Sequence, residues 1–189
     1  MDDSQTRDCK AFGTWQTEDA AAAEFDARIA RSGLFERTYQ EVEGQYLARR
    51  PGRESKDARI DRVLVPGKRL RDAGWTMTIG VEIKRSGADI GPAISQAIDY
   101  TYCAWHVRGV DVWLYCERIF LWPFRPQHGS LASVMVQNGI GTICDDIKAR
   151  PEWSRPLIFT LEKQVITLDG EYQLDKCSPT VAARKVGSR

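Results

Sequence analysis

Hydrophobic and polar positions repeat with the period of a helix in one early segment of the chain. Residues 17–33, TEDAAAAEFDARIARSG, predict a helix, because Thr17 is a suitable N-cap, acids follow in the first turn and Gly33 ends the segment. On a helical wheel one stripe combines an acid with apolar residues, namely Glu18, Ala22, Phe25 and Ile29. This stripe is expected to face the rest of the protein.

Strand-like patterns follow the first helix. Residues 34–48 favour a strand because aromatic and β-branched residues cluster there. Two more strands are predicted over 59–65 and 75–84, joined by a turn region, PGKRLRDAG. Residues 91–105 predict a helix with Pro92 at its first position, which suits the fixed φ and missing N–H of proline.

The second half of the chain predicts further strands and one helix. Residues 110–116, VDVWLYC, form an almost unbroken apolar run, which is typical of a central strand covered on both faces. RIFLWPF continues the sheet, SLASVMVQNG predicts a short helix ended by Gly139, and LIFTLE with QVITLDG predicts a hairpin. The order of helix, three strands, helix and strand indicates an α/β fold with a mixed sheet flanked by helices.

Composition limits the function classes. The chain has 189 residues, with 27 Lys and Arg against 26 Asp and Glu, so no global basic field indicates nucleic-acid binding. We expect one domain over 17–175, with a flexible N-terminus (1–16) and tail (176–189). The five cysteines form no CxxC pair, the first residues lack a signal-peptide core, and no apolar run approaches the ~20 residues of a membrane span. These features predict a cytoplasmic protein with no membrane partner.

Two acids and a lysine form the candidate site. Glu82 and Lys84, in VEIK, share one face of their strand because side chains alternate along an extended chain. If Val65 pairs with Thr78, Asp61 falls opposite Glu82, with Cβ atoms ~5 Å apart. Two such carboxylates repel each other unless a cation lies between them, and Mg²⁺ prefers oxygen ligands. The carbonyl of Ile83 is a further candidate ligand, and Lys84 could hold a water or a developing negative charge.

The helix that follows adds two polar residues on one face, Gln96 and Tyr100, at positions i and i+4. With I-D at 60–61, E-I-K at 82–84 and Q-x-x-x-Y at 96–100, the chain resembles the PD-(D/E)XK nuclease superfamily, most closely its RecB-type branch. The resemblance covers about residues 17 to 116. Ile60 stands where the proline that gives the motif its name would be, a position that tolerates substitution in the family.

The resemblance implies a restriction-endonuclease-like core in αβββαβ order, here with C-terminal additions. It also implies that Asp61 and Glu82 bind Mg²⁺ or Mn²⁺ and that Lys84 assists the attacking water. Gln96 and Tyr100 would line the site or contact the substrate. The family usually adds a glutamate from the first helix, for which the candidates are Glu18 and Glu24. Glu18 is favoured because it lies on the stripe that faces the sheet, and Glu41 of the next segment is a third candidate.

A basic segment surrounds Asp61 in the sequence. Residues 49–71 contain nine Lys and Arg, among which Arg53, Lys56, Arg59 and Arg62 are the candidate substrate contacts. Such a patch binds phosphates without regard to sequence.

These features together predict a Mg²⁺-dependent nuclease that hydrolyses DNA phosphodiester bonds by attack of a water bound to the metal. A non-catalytic nucleic-acid-binding or assembly protein with the same fold is the alternative from another class, and a junction-cleaving or restriction-type endonuclease is the alternative among enzymes. RNA as substrate, and a homodimer or a larger DNA-processing complex, are left open.

Overall fold

The computed structural model describes residues 15–47, 58–72, 74–125, 127, 129–145, 157–161 and 164–168. Its helices are α1 (Glu18–Ser32), α2 (Lys68–Asp72), α3 (Ile90–Tyr100) and α4 (Gly129–Gln137). Its strands are β1 (Phe35–Tyr46), β2 (Ala58–Pro66), β3 (Ile79–Ile83), β4 (Cys103–Val107), β5 (Val112–Tyr115), β6 (Arg118–Trp122), β7 (Ile140–Asp145), β8 (Leu157–Leu161) and β9 (Gln164–Leu168). The predicted α/β class is confirmed.

One mixed sheet joins the nine strands of the described residues in the order β5-β4-β1-β2-β3-β6-β7-β8-β9. Strands β1, β2 and β3 form an antiparallel meander, whereas β6 lies parallel to both β3 and β7. The connection from β3 to β6 contains α3 and the β4–β5 hairpin, and this hairpin pairs with β1 rather than with β3. Strands β3 and β4 follow each other in the chain, but β1 and β2 lie between them in the sheet.

Hydrophobic side chains cover both faces of the sheet. Alternate residues of β6 enter two separate clusters, because side chains alternate along a strand, whereas β3 contributes only to the first cluster and carries Gly80 and Glu82 on its other face. The first cluster packs against α1 and includes Phe25, Ile29, Val81 and Trp122. The second packs against α3 and includes Ile94, Ala97, Ile119 and Leu121. The central strands are therefore buried on both faces, between a layer with α1 and a layer with α3.

The first helix has the ends that the sequence predicts. The Thr17 side chain accepts a hydrogen bond from the Ala20 N–H at 3.1 Å, and Gly33 ends the helix with a φ of 59°, in the left-handed region that glycine favours. Trp15, which we assigned to the flexible N-terminus, is fixed to the loop after β3. Its N–H donates to Ser86 Oγ at 3.0 Å, and its carbonyl accepts from the Ser86 N–H at 2.9 Å.

The predicted helix over 91–105 is too long and starts too late. Asp89 is the N-cap, with its carboxylate accepting from the Gly91 N–H at 3.0 Å, so Pro92 is the third residue of α3 rather than the first. The helix ends at Tyr100, and residues from Cys103 onward form β4. Pro92 fits the third position because the N–H groups of the first turn have no partner within a helix.

The prediction of a central strand over 110–116 is wrong. Strand β5 is the first in the sheet order, pairs only with β4 among the described residues, and has exposed side chains at Val112, Trp113 and Tyr115. The strand parallel to β3 is β6, whose residues 119–122 are fully buried. An unbroken apolar run indicates burial on both faces only when a strand has two neighbours.

Smaller differences concern segment ends and one missed strand. The turn region after β2 contains α2. The strand predicted over 75–84 begins only at Ile79, and β7 was not predicted. The late hairpin and the short helix before Gly139 are confirmed as β8–β9 and α4. Residues 1–14 and the tail 176–189 lie outside the described residues. None of the described helices is long and apolar enough to cross a membrane.

Candidate functional site

The register of β2 and β3 brings the two acids of the candidate site together. Arg62 pairs with Val81 and Leu64 pairs with Ile79, which is the register that the sequence predicts. Continued by one residue, this register places Asp61 beside Glu82. Asp61 Oδ2 accepts a hydrogen bond from the Ile83 N–H at 2.6 Å, so its carboxylate reaches across to the end of β3.

Glu82 is a buried carboxylate, and one of its two oxygens has no hydrogen-bond partner among the described residues. The residue is only 2% exposed, and its Oε1 accepts from Lys84 Nζ at 2.6 Å. Its Oε2 is fully buried, yet no hydrogen-bond donor of the described residues reaches it. Buried polar atoms nearly always have a partner, so this oxygen requires a proton, a water or a cation.

Both acids have raised pKa values. Burial is the main cause for Glu82, and the charge of Asp61 adds to it, so that the pKa of Glu82 rises from 4.5 to about 7. Burial also raises the pKa of Asp61, although the hydrogen bond from Ile83 and the charge of Lys84 oppose it. A cation close to both carboxylates would favour their charged forms, which makes this pair a suitable anionic site.

Lys84 remains a cation at neutral pH. Burial by itself lowers its pKa, but the hydrogen bond and the charge of Glu82, helped by the charges of Glu18 and Asp61, outweigh burial and raise the pKa overall. Its backbone N–H donates to the Trp122 carbonyl at 2.7 Å, which ties the end of β3 to β6. An ammonium group held in this way can stabilise negative charge or orient a water, but it cannot take up a proton.

Three glutamates were candidates to complete the site, and the structure places them differently. Glu18, at the start of α1, lies with its Oε1 3.8 Å from Lys84 Nζ. Glu24 instead accepts a hydrogen bond from Arg28 Nε at 2.6 Å, away from the pair. Glu41 influences Asp61, since its charge raises the pKa of that residue. Glu18 and Glu41 therefore lie near opposite ends of the pair, and Glu24 does not take part.

Glu41 also has an unusual backbone conformation. Its φ is 49°, which non-glycine residues rarely adopt, and it lies between Gln40, which pairs with Arg62, and Val42, which pairs with Ile60. The carboxylate lies 3.0 Å from Arg59 Nε. Backbone strain of this kind is often found at functional sites.

Gln96 and Tyr100 form a hydrogen-bonded pair that connects α3 to the strand containing Asp61. The Tyr100 hydroxyl donates to the Arg59 carbonyl at 2.5 Å and accepts a hydrogen bond from Gln96 Nε2. Tyr100 is 4% exposed, and burial, together with the charge of Glu82, raises its pKa. We expected these residues to line the site or contact the substrate; the charges of Glu82 and Asp61 act on the Tyr100 pKa, so this ring lies near both acids, and the substrate contact stays a prediction. Tyr100 also holds β2 in place two residues before Asp61, and Gln96 holds Tyr100.

The basic candidates also differ from expectation. The Arg59 side chain is 70% exposed and pairs with Glu41 on the surface. Arg62, predicted to contact substrate, is instead 7% exposed, and its guanidinium donates two hydrogen bonds to Asp26 at 2.8 and 2.9 Å. Arg62 therefore fastens α1 to β2. Arg53 and Lys56 lie outside the described residues.

Asp26 was missed by sequence reasoning. It accepts from Gln40 at 2.9 Å as well as from Arg62, so it connects α1 to two strands. The sequence does contain one indication of its role. Asp26 follows Ala22 by four residues, so this acid lies beside the apolar stripe of α1, which faces the protein.

Asp61 and Glu82 are the two acids that the pairing of β2 with β3 brings together as candidate metal ligands. The part of the chain that the structure describes contains no group of three or more His, Cys, Asp and Glu side chains arranged to hold a metal. Asp61 and Glu82 therefore stand as a pair. Mg²⁺ is commonly bound by one or two carboxylates, with waters and substrate phosphates as its other ligands.

Comparison of the chain with protein-family models, with curated proteins and with solved structures gives no match.

Proposed function

We propose that this protein is a metal-dependent nuclease that hydrolyses phosphodiester bonds of DNA, with a restriction-endonuclease-like core of the RecB type. The observation that supports the proposal most concerns Glu82, which lies beside Asp61 and Lys84. Its Oε2 is buried and has no hydrogen-bond partner among the described residues. Titratable groups with strongly raised pKa values and a specific charged partner are typical of functional sites.

The residues of the site suit a small divalent cation. Asp61 and Glu82 would hold Mg²⁺ or Mn²⁺, the Ile83 carbonyl is the further candidate ligand, and Glu18 lies near enough to Lys84 to act through it. Oxygen ligands of this kind are the ones that Mg²⁺ and Mn²⁺ prefer. When bound, the cation supplies Lewis acidity and makes water a stronger nucleophile.

Hydrolysis adds the oxygen of one water to phosphorus, breaks one of the two bridging P–O bonds and leaves that oxygen protonated. Negative charge accumulates on the phosphoryl oxygens during this reaction. The Lys84 ammonium, kept charged by Glu82, would stabilise that charge and orient the water. Gln96 and Tyr100 would keep the strand that contains Asp61 in position.

The substrate is assigned from the basic residues around Asp61. Arg59 is exposed two residues from Asp61 and is held only by an ion pair on the surface, which contributes little and can be exchanged for a phosphate contact. DNA is the proposed substrate, and RNA is a second polymer with the same phosphodiester linkage.

The test is cleavage of linear and circular DNA, and of RNA, with Mg²⁺, with Mn²⁺ and with EDTA. Lys84→Ala is the informative variant, and Arg108→Ala is its control because the Arg108 side chain is 75% exposed, lies outside the basic segment 49–71 and pairs with Glu43. Cation-dependent cleavage that Lys84→Ala abolishes and Arg108→Ala retains supports the proposal. Equal activity of both variants contradicts it.

A non-catalytic nucleic-acid-binding protein is the second candidate. It is favoured by the 2.6 Å ion pair between Glu82 and Lys84, because a structural ion pair also shifts the pKa values of its partners. Binding of DNA without cleavage under any of the cations would support this candidate in place of the nuclease.

A further inference from the structure

The edge of the sheet at β5 lacks the features that usually prevent two edge strands from pairing. Edge strands in monomeric proteins are usually protected by charged residues, proline or a bulge. Residues Val112–Tyr115, VWLY, contain no charge, no proline and no glycine, and β5 has only β4 as a neighbour within the described chain. Within the part of the chain that the structure describes, no strand therefore pairs with the other side of its backbone.

Exposed apolar side chains concentrate around this edge. Of the seven large hydrophobic residues that are exposed in the described part of the chain, six belong to this region and only Val134 lies elsewhere; the six are Leu47, Tyr102, Val110, Val112, Trp113 and Tyr115. Leu47 adjoins Tyr102 through a backbone hydrogen bond of 2.9 Å. Tyr115 and Trp113 lie opposite Ala104 and His106, so both rings lie on one face of the sheet.

The size of this surface approaches that of a protein interface. Tyr102, Trp113 and Tyr115 are 48%, 42% and 57% exposed. Since an aromatic side chain presents ~150–250 Å², these three expose roughly 300 Å² per copy. Two copies, with the aliphatic side chains and the strand backbone added, come near the ~1,200 Å² at which specific interfaces begin. The largest apolar patch on a monomer is often functional.

The charges around β5 argue against a nucleic acid as the partner. Arg108, in the turn between β4 and β5, is already paired with Glu43. Asp111, 95% exposed, adds a negative charge in the turn before β5. A polyanion binds where positive charge is in excess, which is not the case here.

We propose that β5 pairs antiparallel with β5 of a second copy of this chain, so that the sheet continues through a two-fold axis. An isologous contact requires a surface that complements itself. If the axis passes through Trp113, Val112 of one copy lies opposite Leu114 of the other; if it passes through Leu114, Trp113 lies opposite Tyr115. Either register sets apolar residues against each other, a favourable cross-strand combination. This dimer is independent of the nuclease proposal.

The experiment is sedimentation velocity of the full chain over a dilution series, with Val112→Lys and Val134→Lys as a matched pair. The two valines are similarly exposed, at 44% and 41%, but only Val112 lies in β5. We expect a dimer for the wild type and for Val134→Lys. Val112→Lys should raise the dissociation constant of the dimer about a hundredfold, because the two-fold axis puts two lysines, one from each copy, into the interface.

Three results would overturn the proposal: a wild type that is monomeric throughout, a dimer that withstands Val112→Lys, and equal dissociation of both variants. Hydrogen exchange on the wild type keeps the test decisive if Val112→Lys does not fold. Amide protection of residues 112–115 should rise with protein concentration, and protection that is independent of concentration contradicts the dimer. Oligonucleotide binding by a monomer that Val112→Lys abolishes would assign the edge to a nucleic acid instead.

Discussion

Replacing Glu82 by glutamine should change how the stability of the metal-free protein depends on pH. The pKa of Glu82 is 4.5 as an ordinary glutamate and about 7 in the folded chain, because burial and the charge of Asp61 disfavour its ionised form. Between these two values the folded state binds more protons than the unfolded state. The free energy of unfolding therefore falls as the pH rises through this window, and it levels off above it.

The size of the effect follows from the same two values. A difference from 4.5 to about 7 corresponds to roughly 3 kcal/mol, lost between about pH 4.5 and pH 7. For a chain of this size each kcal/mol changes the melting temperature by about 2–4 °C, so the expected change is large enough to measure. The raised pKa of Asp61 acts in the same direction. The raised pKa of Lys84 affects only more alkaline solutions.

The assay is urea denaturation in EDTA at a series of pH values for the wild type and Glu82→Gln. We expect the stability of Glu82→Gln relative to the wild type to increase from pH 5 to pH 8 by roughly 3 kcal/mol. The buried amide of the glutamine adds a cost of its own, but that cost is independent of pH. Glu117→Gln is the control, since Glu117 is exposed. A difference between wild type and Glu82→Gln that stays constant across this range would refute the reasoning.

Three further predictions concern the same site. Lys84→Ala should reduce cleavage by at least about a hundredfold while DNA affinity, measured by fluorescence anisotropy, stays nearly unchanged; equal losses would make Lys84 a phosphate contact. Millimolar Mg²⁺ or Mn²⁺ should raise the melting temperature of the wild type, measured by calorimetry. At a cation concentration of ~100 Kd the free energy of unfolding should rise by about 2.7 kcal/mol. Asp61→Asn should lose most of this response, and a full response in Asp61→Asn would place the ion elsewhere. Tyr100→Phe should cost about 1–3 kcal/mol in chemical denaturation, since the Arg59 carbonyl loses its donor; an unchanged stability would show that this bond contributes nothing.

The sequence predicts the centre of the sheet better than its edges. The register that places Asp61 beside Glu82 followed from assuming that two strands adjacent in sequence form a hairpin, and the assumption holds although the connection 67–78 contains α2. The position of β5 could not, because an apolar strand at an edge and one in the centre have the same local pattern. An edge strand differs from a central strand in its neighbours. Here these depend on where the chain joins the sheet after α3, which is set by long-range packing.

Details of the site depended on side-chain partners that spacing does not reveal. Spacing correctly puts Gln96 and Tyr100 on one helix face, but it does not show that the Tyr100 hydroxyl bonds to the β2 backbone. Likewise, the basic character of Arg62 suggested a phosphate contact, whereas Asp26, distant in sequence, binds it. A charged residue acquires its role from the partner that the fold supplies, and for Arg62 that partner belongs to α1.

The crossover between β3 and β6 has a consequence for the order of folding. We expect the β1–β2–β3 meander to form early because its strands follow one another in the chain, whereas β6 must wait for the closure of the longer connection 84–117, with its helix and hairpin. Asp61 and Glu82 thus meet in the meander while water still surrounds them. Glu82 loses that water only when β6, with Leu121 beside it, completes the sheet. We expect the cost of burying this carboxylate to fall on the last stage of folding, so that alkaline solution slows the arrival of β6 and leaves the meander largely unaffected.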